Sequence, residues 1–213
     1  MFSQRFESLD LAGGEADLAK QFRALCAQGV AVADLTLSNP TKAGFDYPDA
    51  AICAALSDPA VMQYRPHPLG LYSARAAVAA YYAARHWPVD PDRIVLTSGT
   101  SEAYSFLMKL LCDPGDEILM PSPGYPLLDF VCLLEHVHLT HFPLDYPRED
   151  GQRWRITREA LESRVTDRTK ALVWIQPNNP TGNVASREEA EILLSFAERH
   201  GVSLIIDEVF SDY

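Results

Sequence analysis

Two acids, Asp207 and Glu208, close the apolar run of "VSLIIDEVF". A carboxylate at the end of a buried strand is costly unless it meets a cation or a strong donor. Asp207 therefore needs such a partner, while Glu208 is the one placed to reach solvent. A second polar corner, "QPNNPTG" at 176–182, follows the apolar "ALVWI". Proline drives the residue before it out of the helical region and glycine permits the turn that follows, so Pro180 holds Asn179 at the end of another strand. In "TSGTSEAY", Gly99 stands between a strand-like and a helix-like stretch. The N–H groups of Gly99, Thr100 and Ser101, helped by two hydroxyls, could receive an anion at the helix start, although an ordinary turn capped by Ser101 would use the same residues. In "MPSPGYPLL", Tyr125 sits on a loop stiffened by Pro121, Pro123 and Pro126. A ring fixed there could stack on a flat ligand or serve as a core tyrosine. The chain contains neither G-x-x-x-x-G-K-[ST] nor G-x-G-x-x-G, which argues against a nucleotide-binding sheet protein.

The elements that must position these groups follow from the texture of the chain, which changes near residue 90. From Asp92 onward strand-like and helix-like runs alternate: "RIVLTS" before "SEAYSFLMKLLC", "DEILMPS" before "YPLLDFVCLLEH", then "VHLTHFPL", "ITREALESRV" before "KALVWIQ", and "SREEAEILLSFAERHG" before "VSLIIDEVF". Such alternation predicts βαβ units and an α/β fold, a three-layer α/β/α arrangement around a mostly parallel sheet. In that architecture ligands bind at the carboxyl ends of the strands, the edge that carries both Asn179 and Asp207. Ser186 with Glu189 forms a capping box, and Gly201 after His200 reads as a helix stop. Before residue 90 the pattern predicts a helix in "EADLAKQFRALCAQG" stopped by Gly29, a Pro-rich segment from Ser38 to Pro68, and a helix in "SARAAVAAYYAARHW" stopped by Pro88.

Composition narrows the class. The 213 residues are 47% hydrophobic with a formal charge of −11, which suits a globular protein and gives a nucleic-acid surface no general electrostatic help. Cys26, Cys53, Cys112 and Cys132 form no C-x-x-C pair and lie in apolar or helical stretches, so they read as reduced, buried thiols of a cytoplasmic protein. "MFSQRFESLDLAGG" lacks the apolar stretch of a signal peptide, and no segment reads as a membrane span. In "EHVHLTH" a strand would put His136 and His138 on one face, but without a neighbouring carboxylate motif the stretch predicts a half-exposed strand rather than a zinc site.

An anion cradle, a stacking ring, an amide and a buried carboxylate meet the needs of pyridoxal 5′-phosphate. The ordered set "SGTSEA", "PSPGYP", "NNPTG" and "DEVF" resembles the class I and II aminotransferases, the fold type I family of pyridoxal-phosphate enzymes, from about "LTLSNP" to the last residue. The resemblance implies amino-group transfer between an amino acid and a 2-oxo acid. It assigns Gly99, Thr100 and Ser101 to the cofactor phosphate, Tyr125 to the ring face, Asn179 to the phenolic oxygen and Asp207 to the ring nitrogen. It also implies that Tyr64 in "QYRPHPLG" reaches the phosphate of the neighbouring subunit of a homodimer, and that Asn39 with Pro40 belongs to a loop approaching substrate. Packing and an Asx-Pro turn would explain those two equally well. Residues 1–45 are read as an amino-terminal segment of the small domain and substrate loop, and 46–213 as the large cofactor-binding domain.

Two features depart from the family pattern. Phe210 stands where the family often has a tyrosine that donates to the phenolic oxygen. The Schiff-base lysine, which in the family lies well downstream of "DEVF", is missing from this chain, so the resemblance supplies no catalytic residue here. None of Lys20, Lys42, Lys109 and Lys170 has the required context; Lys109 lies about 12 Å along its helix from the phosphate loop. The expectation is a front-half fragment, inactive and poorly folded alone, in which "RIVLTS" lacks the neighbours it has in the resembling fold. Another pyridoxal-phosphate enzyme, such as a lyase, decarboxylase or synthase, or a non-catalytic remnant would share the same motifs.

Overall fold

The structure is a computed structural model that describes residues 17–33, 39–147 and 153–212. Residues 1–16 and 34–38, which include the stretch read for a leader and the start of "LTLSNP", lie outside the described residues. The chain divides into two compact units, Met1–Ile94 and Val95–Tyr213.

The first unit contains α1 (Asp17–Ala27), α2 (Asp49–Leu56), α3 (Tyr72–Ala84) and short 3-10 turns at Pro59–Met62 and Pro91–Arg93. Gly29 adopts φ +74°, the left-handed stop expected after α1. The helix before Pro88 ends sooner than its proline requires, at Ala84, with His86 at φ +65°. Neither α1 nor α2 buries a residue, and α3 buries only Arg75 and Ala79. Arg75 donates from Nε to the Gly70 carbonyl at 3.1 Å and from Nη1 to the Pro91 carbonyl at 2.6 Å and to Asp92 at 2.9 Å, so the buried cation is satisfied and ties α3 to the following 3-10 turn. The expected burial of the cysteines fails here: Cys26 and Cys53 are exposed, on helices that bury none of their residues among the described ones.

The second unit contains α4 (Thr100–Leu111), β1 (Glu117–Ser122), α5 (Leu127–Leu134), β2 (His138–Pro143), α6 (Arg158–Glu162), β3 (Thr169–Ile175), α7 (Arg187–His200) and β4 (Ser203–Asp207). The strands form one parallel sheet in the order β2-β1-β3-β4. Alternating side chains of the central strands fill two cores. Leu119, Leu172 and Trp174 pack with Leu161 of α6 and Leu193 and Phe196 of α7. Ile118, Met120, Ala171, Val173 and Ile175 pack with Tyr104 and Met108 of α4 and Leu128 and Cys132 of α5. Helices therefore cover both faces, the α/β/α layering expected, and this is why β3 is apolar throughout its core. Ser186 caps α7 in a complete capping box with Glu189, and Gly201 closes the helix in the left-handed region at φ +65°.

Two segments differ from expectation. "RIVLTS" forms no strand: Ile94 is extended at φ −106° and ψ 127°, but this stretch has no ladder partner among the described residues, and pairing, not extension, makes a strand. His136 does not share a strand face with His138. It closes α5 at φ +59°, its carbonyl accepting from Gly115 N–H at 2.8 Å, and β2 begins only at His138.

Candidate functional site

The Asp207 carboxylate lies at the carboxyl end of β4 beside Ile175 of β3 and is buried, 8% exposed. It has found strong donors. The Tyr104 hydroxyl donates to Oδ2 at 2.8 Å and the Val209 N–H to Oδ1 at 3.0 Å. Tyr104 escaped the sequence reading, although it stands four residues after Thr100 and hence one turn along the same helix face. Burial pushes its phenol far above the ordinary tyrosine value, reinforced by the Asp207 charge and hydrogen bond and then by Tyr125. The proton therefore stays on Tyr104, which acts as a donor.

The turn after β3 divides its labour between two asparagines. Asn178 is 2% exposed and builds the turn. Its amide donates to the Pro123 carbonyl at 3.2 Å and to the Thr181 hydroxyl at 2.7 Å, its N–H donates to Asn183 O at 2.9 Å, and its carbonyl accepts from Gly182 N–H at 2.7 Å. Gly182 sits at φ +69°, where a side chain would be strained. Gln176 Oε1 fastens both legs, accepting from Trp174 Nε1 at 3.1 Å and Ala185 N–H at 3.2 Å. Asn179 is spared these duties. Its half-buried amide makes no hydrogen bond among the described residues.

Tyr125 follows a glycine whose need is steric. A Cβ on Gly124 would lie 2.2 Å from the Pro121 carbonyl oxygen and 2.9 Å from the Met120 methyl, so only glycine fits where the loop doubles back on β1. The ring of Tyr125 packs on the core beneath α4 and α5. At the start of α4, Gly99 occupies the N-cap position without a side-chain cap, so Ser101 is not the cap. Glu102 turns back to accept from Ser98 N–H at 2.7 Å. The N–H groups of Gly99, Thr100 and Ser101 have no partner among the described residues, which leaves the positive end of the helix open.

The ends of β3 and β4, the loop after β1 and the start of α4 meet at one open hollow of about 100 Å³, lined by Thr100, Tyr125, Ile175, Asn179, Asp207, Val209 and Phe210. Of the three residues expected at the phosphate, only Thr100 lines it; Gly99 and Ser101 are its neighbours in the chain. Phe210 stands in the wall with no hydroxyl to offer. Tyr64 and Asn39 belong to the amino-terminal unit. Tyr64 is 91% exposed on its Pro-rich loop, and Asn39 closes an Asx turn, accepting from Thr41 N–H at 3.0 Å. None of the four lysines lines the hollow. Lys20 pairs with Asp17, Lys109 with Glu135, Lys170 with Asp116 at 3.8 Å, and Lys42 lies in the turn begun by Asn39. Among the described residues there is no group of three metal-ligating side chains and no helix long and apolar enough to cross a membrane.

Comparison with known proteins identifies the family. A family profile described as aminotransferase class I and II matches residues 32–213. The alanine aminotransferase of Mycobacterium tuberculosis is 35% identical over 186 residues, covering 86% of this chain and 42% of that protein. The glutamate-pyruvate aminotransferase of Escherichia coli is 32% identical over 192 residues, covering 90% of this chain and 46% of that protein. Among solved structures, an alanine aminotransferase from Pyrococcus furiosus superposes with a TM-score of 0.80 at 28% identity over 99% of this chain and 52% of that one. A Thermus thermophilus aspartate aminotransferase variant gives 0.79 at 30% identity over 98% and 53%. The chain thus spans about half the length of the relatives it matches. With the motifs, the sheet and the matched residues in agreement, the chain belongs to the class I and II aminotransferase family.

Proposed function

We propose that the hollow binds pyridoxal 5′-phosphate and that the activity served is amino-group transfer between an amino acid and a 2-oxo acid. The observation that carries the reading is the meeting of Thr100, Tyr125, Asn179 and Asp207, distant in sequence, around one cavity. The donor set fits the group. The open N–H groups at the start of α4 suit a phosphate, the Tyr125 ring suits an aromatic face, and the free Asn179 amide suits a phenolic oxygen. The Asp207 carboxylate suits a protonated ring nitrogen, and its two existing donors leave lone pairs to accept from it.

When bound, the cofactor's pyridine ring withdraws electrons from the substrate carbon that loses its proton. This chain's part is to bind and orient. Asp207 would hold the charge of the ring nitrogen, Ile175, Val209 and Phe210 would offer it an apolar wall, and the α4 terminus would anchor the phosphate. The hollow contains no lysine, so the proton transfer that such a lysine performs is not assigned to this chain. We propose a homodimer as the working unit, an arrangement consistent with the exposure of Tyr64 on its loop.

Titration with pyridoxal 5′-phosphate, followed by cofactor absorbance and protein fluorescence, tests the reading. Saturable one-to-one binding is expected, weakened about tenfold or more in Asp207→Ala, the loss of one charge-assisted contact. Borohydride treatment is expected to leave no stoichiometric adduct on any lysine. Absence of saturable binding, or equal binding by Asp207→Ala, overturns it.

A further inference from the structure

We propose that Tyr104 is a positioning residue for Asp207, and that α4 sets both ends of the cofactor site, the phosphate cradle by its first turn and the carboxylate by its second. This inference rests on the function proposed above. Thr100 lines the hollow and Tyr104 follows one helical turn later, about 6 Å along the axis, so the two are rigidly related. The Tyr104 hydroxyl, on a side chain 4% exposed, donates to Asp207 Oδ2 at 2.8 Å, while Val209 N–H donates to Oδ1 at 3.0 Å. One fixed donor on each oxygen determines the plane of the carboxylate. A single donor would leave it free to turn about its Cβ–Cγ bond.

The hydroxyl also sets the strength of the carboxylate. A donor on Oδ2 draws charge toward itself and makes the remaining lone pairs weaker acceptors for a ring N–H. The titratable groups acting on Tyr104 are Asp207 from β4 and Tyr125 from the loop after β1. Burial first, then the Asp207 charge and hydrogen bond and lastly Tyr125, keep the phenol protonated, so the donor persists across the working pH range. Removing the hydroxyl should leave the Asp207 oxygens stronger hydrogen-bond acceptors toward a ring N–H and the carboxylate less well oriented. Strengthening the donor should do the opposite.

Ring-¹⁵N-labelled pyridoxine 5′-phosphate, which has no aldehyde and cannot bond covalently, reads this directly by NMR. In Tyr104→Phe the bound probe's ring-nitrogen titration should move upward by about one pH unit, the scale of one charge-assisted hydrogen bond. Site-specific 3-fluorotyrosine at 104, nearly the same shape with a more acidic hydroxyl, should move it downward. Circular dichroism checks folding, and if Tyr104→Phe does not fold, the fluorotyrosine protein decides alone. An unmoved titration, or two shifts of the same sign, overturns the role of Tyr104 while leaving the proposed function standing. Failure of the unaltered chain to bind the probe overturns both.

Discussion

The amino-terminal and carboxy-terminal units are built from helices of similar length, yet they differ in what those helices bury. In the first, α1 and α2 bury nothing and α3 buries a cation and an alanine. In the second, every long helix presses an apolar stripe onto a sheet whose two faces are both filled. A helical sequence pattern specifies a stripe, and burial depends on whether a second surface meets it. The sheet supplies that surface, so the strand ends and the hollow they form rest on the better-packed part of the molecule.

Thiol chemistry should break or uphold this contrast most sharply. Cys53 is exposed on α2, whereas Cys132 is 1% exposed, and burial, then the charge of Asp129, pushes its thiol up to about 12. Maleimide labelling of the native chain at neutral pH should modify exposed Cys53 far faster than Cys132, which is both shielded from the reagent and held protonated by its burial. Equal rates would erase the distinction. Truncation is the next probe. Trp174→Ala, at a fully buried position, should cost about 3–5 kcal/mol in urea denaturation, while Leu25→Ala on the open face of α1 should stay within about 0.5 kcal/mol.

The smallest effect refines the account of the second unit. Ser186→Ala should cost about 1 kcal/mol through the lost cap of α7. Burial works against the Glu189 carboxylate, but hydrogen bonds from the Ser186 and Ile156 N–H groups, the Ser186 hydroxyl and Arg153 hold it below the usual glutamate range. A lowered folded-state value contributes stability that is present above the unfolded value of about 4.3 and is lost as pH falls through the folded one. Glu189→Gln should therefore lower the melting temperature at pH 7, with the deficit shrinking at pH 3. A deficit that grows in acid would reverse the assignment.

The alternation of strands and helices was legible in the sequence because periodicity and caps are local: Ser186, Glu189 and Gly201 mark their helix without reference to the rest of the chain. The rim position of Asn179 and Asp207 followed from the parallel topology such alternation implies. What stayed hidden was non-local. "RIVLTS" has the composition of a strand, but a ladder depends on neighbours. The exposure of Cys26 and Cys53 depends on what lies against α1 and α2. Asp207 announced its need for a donor, but its partner lies 103 residues earlier, and only the fold identifies Tyr104. The role of Asn178 was likewise masked by its identical neighbour, since residue type cannot separate an amide that builds a turn from one the turn presents.

The clasp made by Gln176 carries a consequence for how such a chain can change. With the 176–185 loop fastened by Gln176 and its interior secured by Asn178, residue 179 carries none of the loop's own hydrogen bonds. A change there should therefore be felt by whatever the hollow holds before it is felt by the fold.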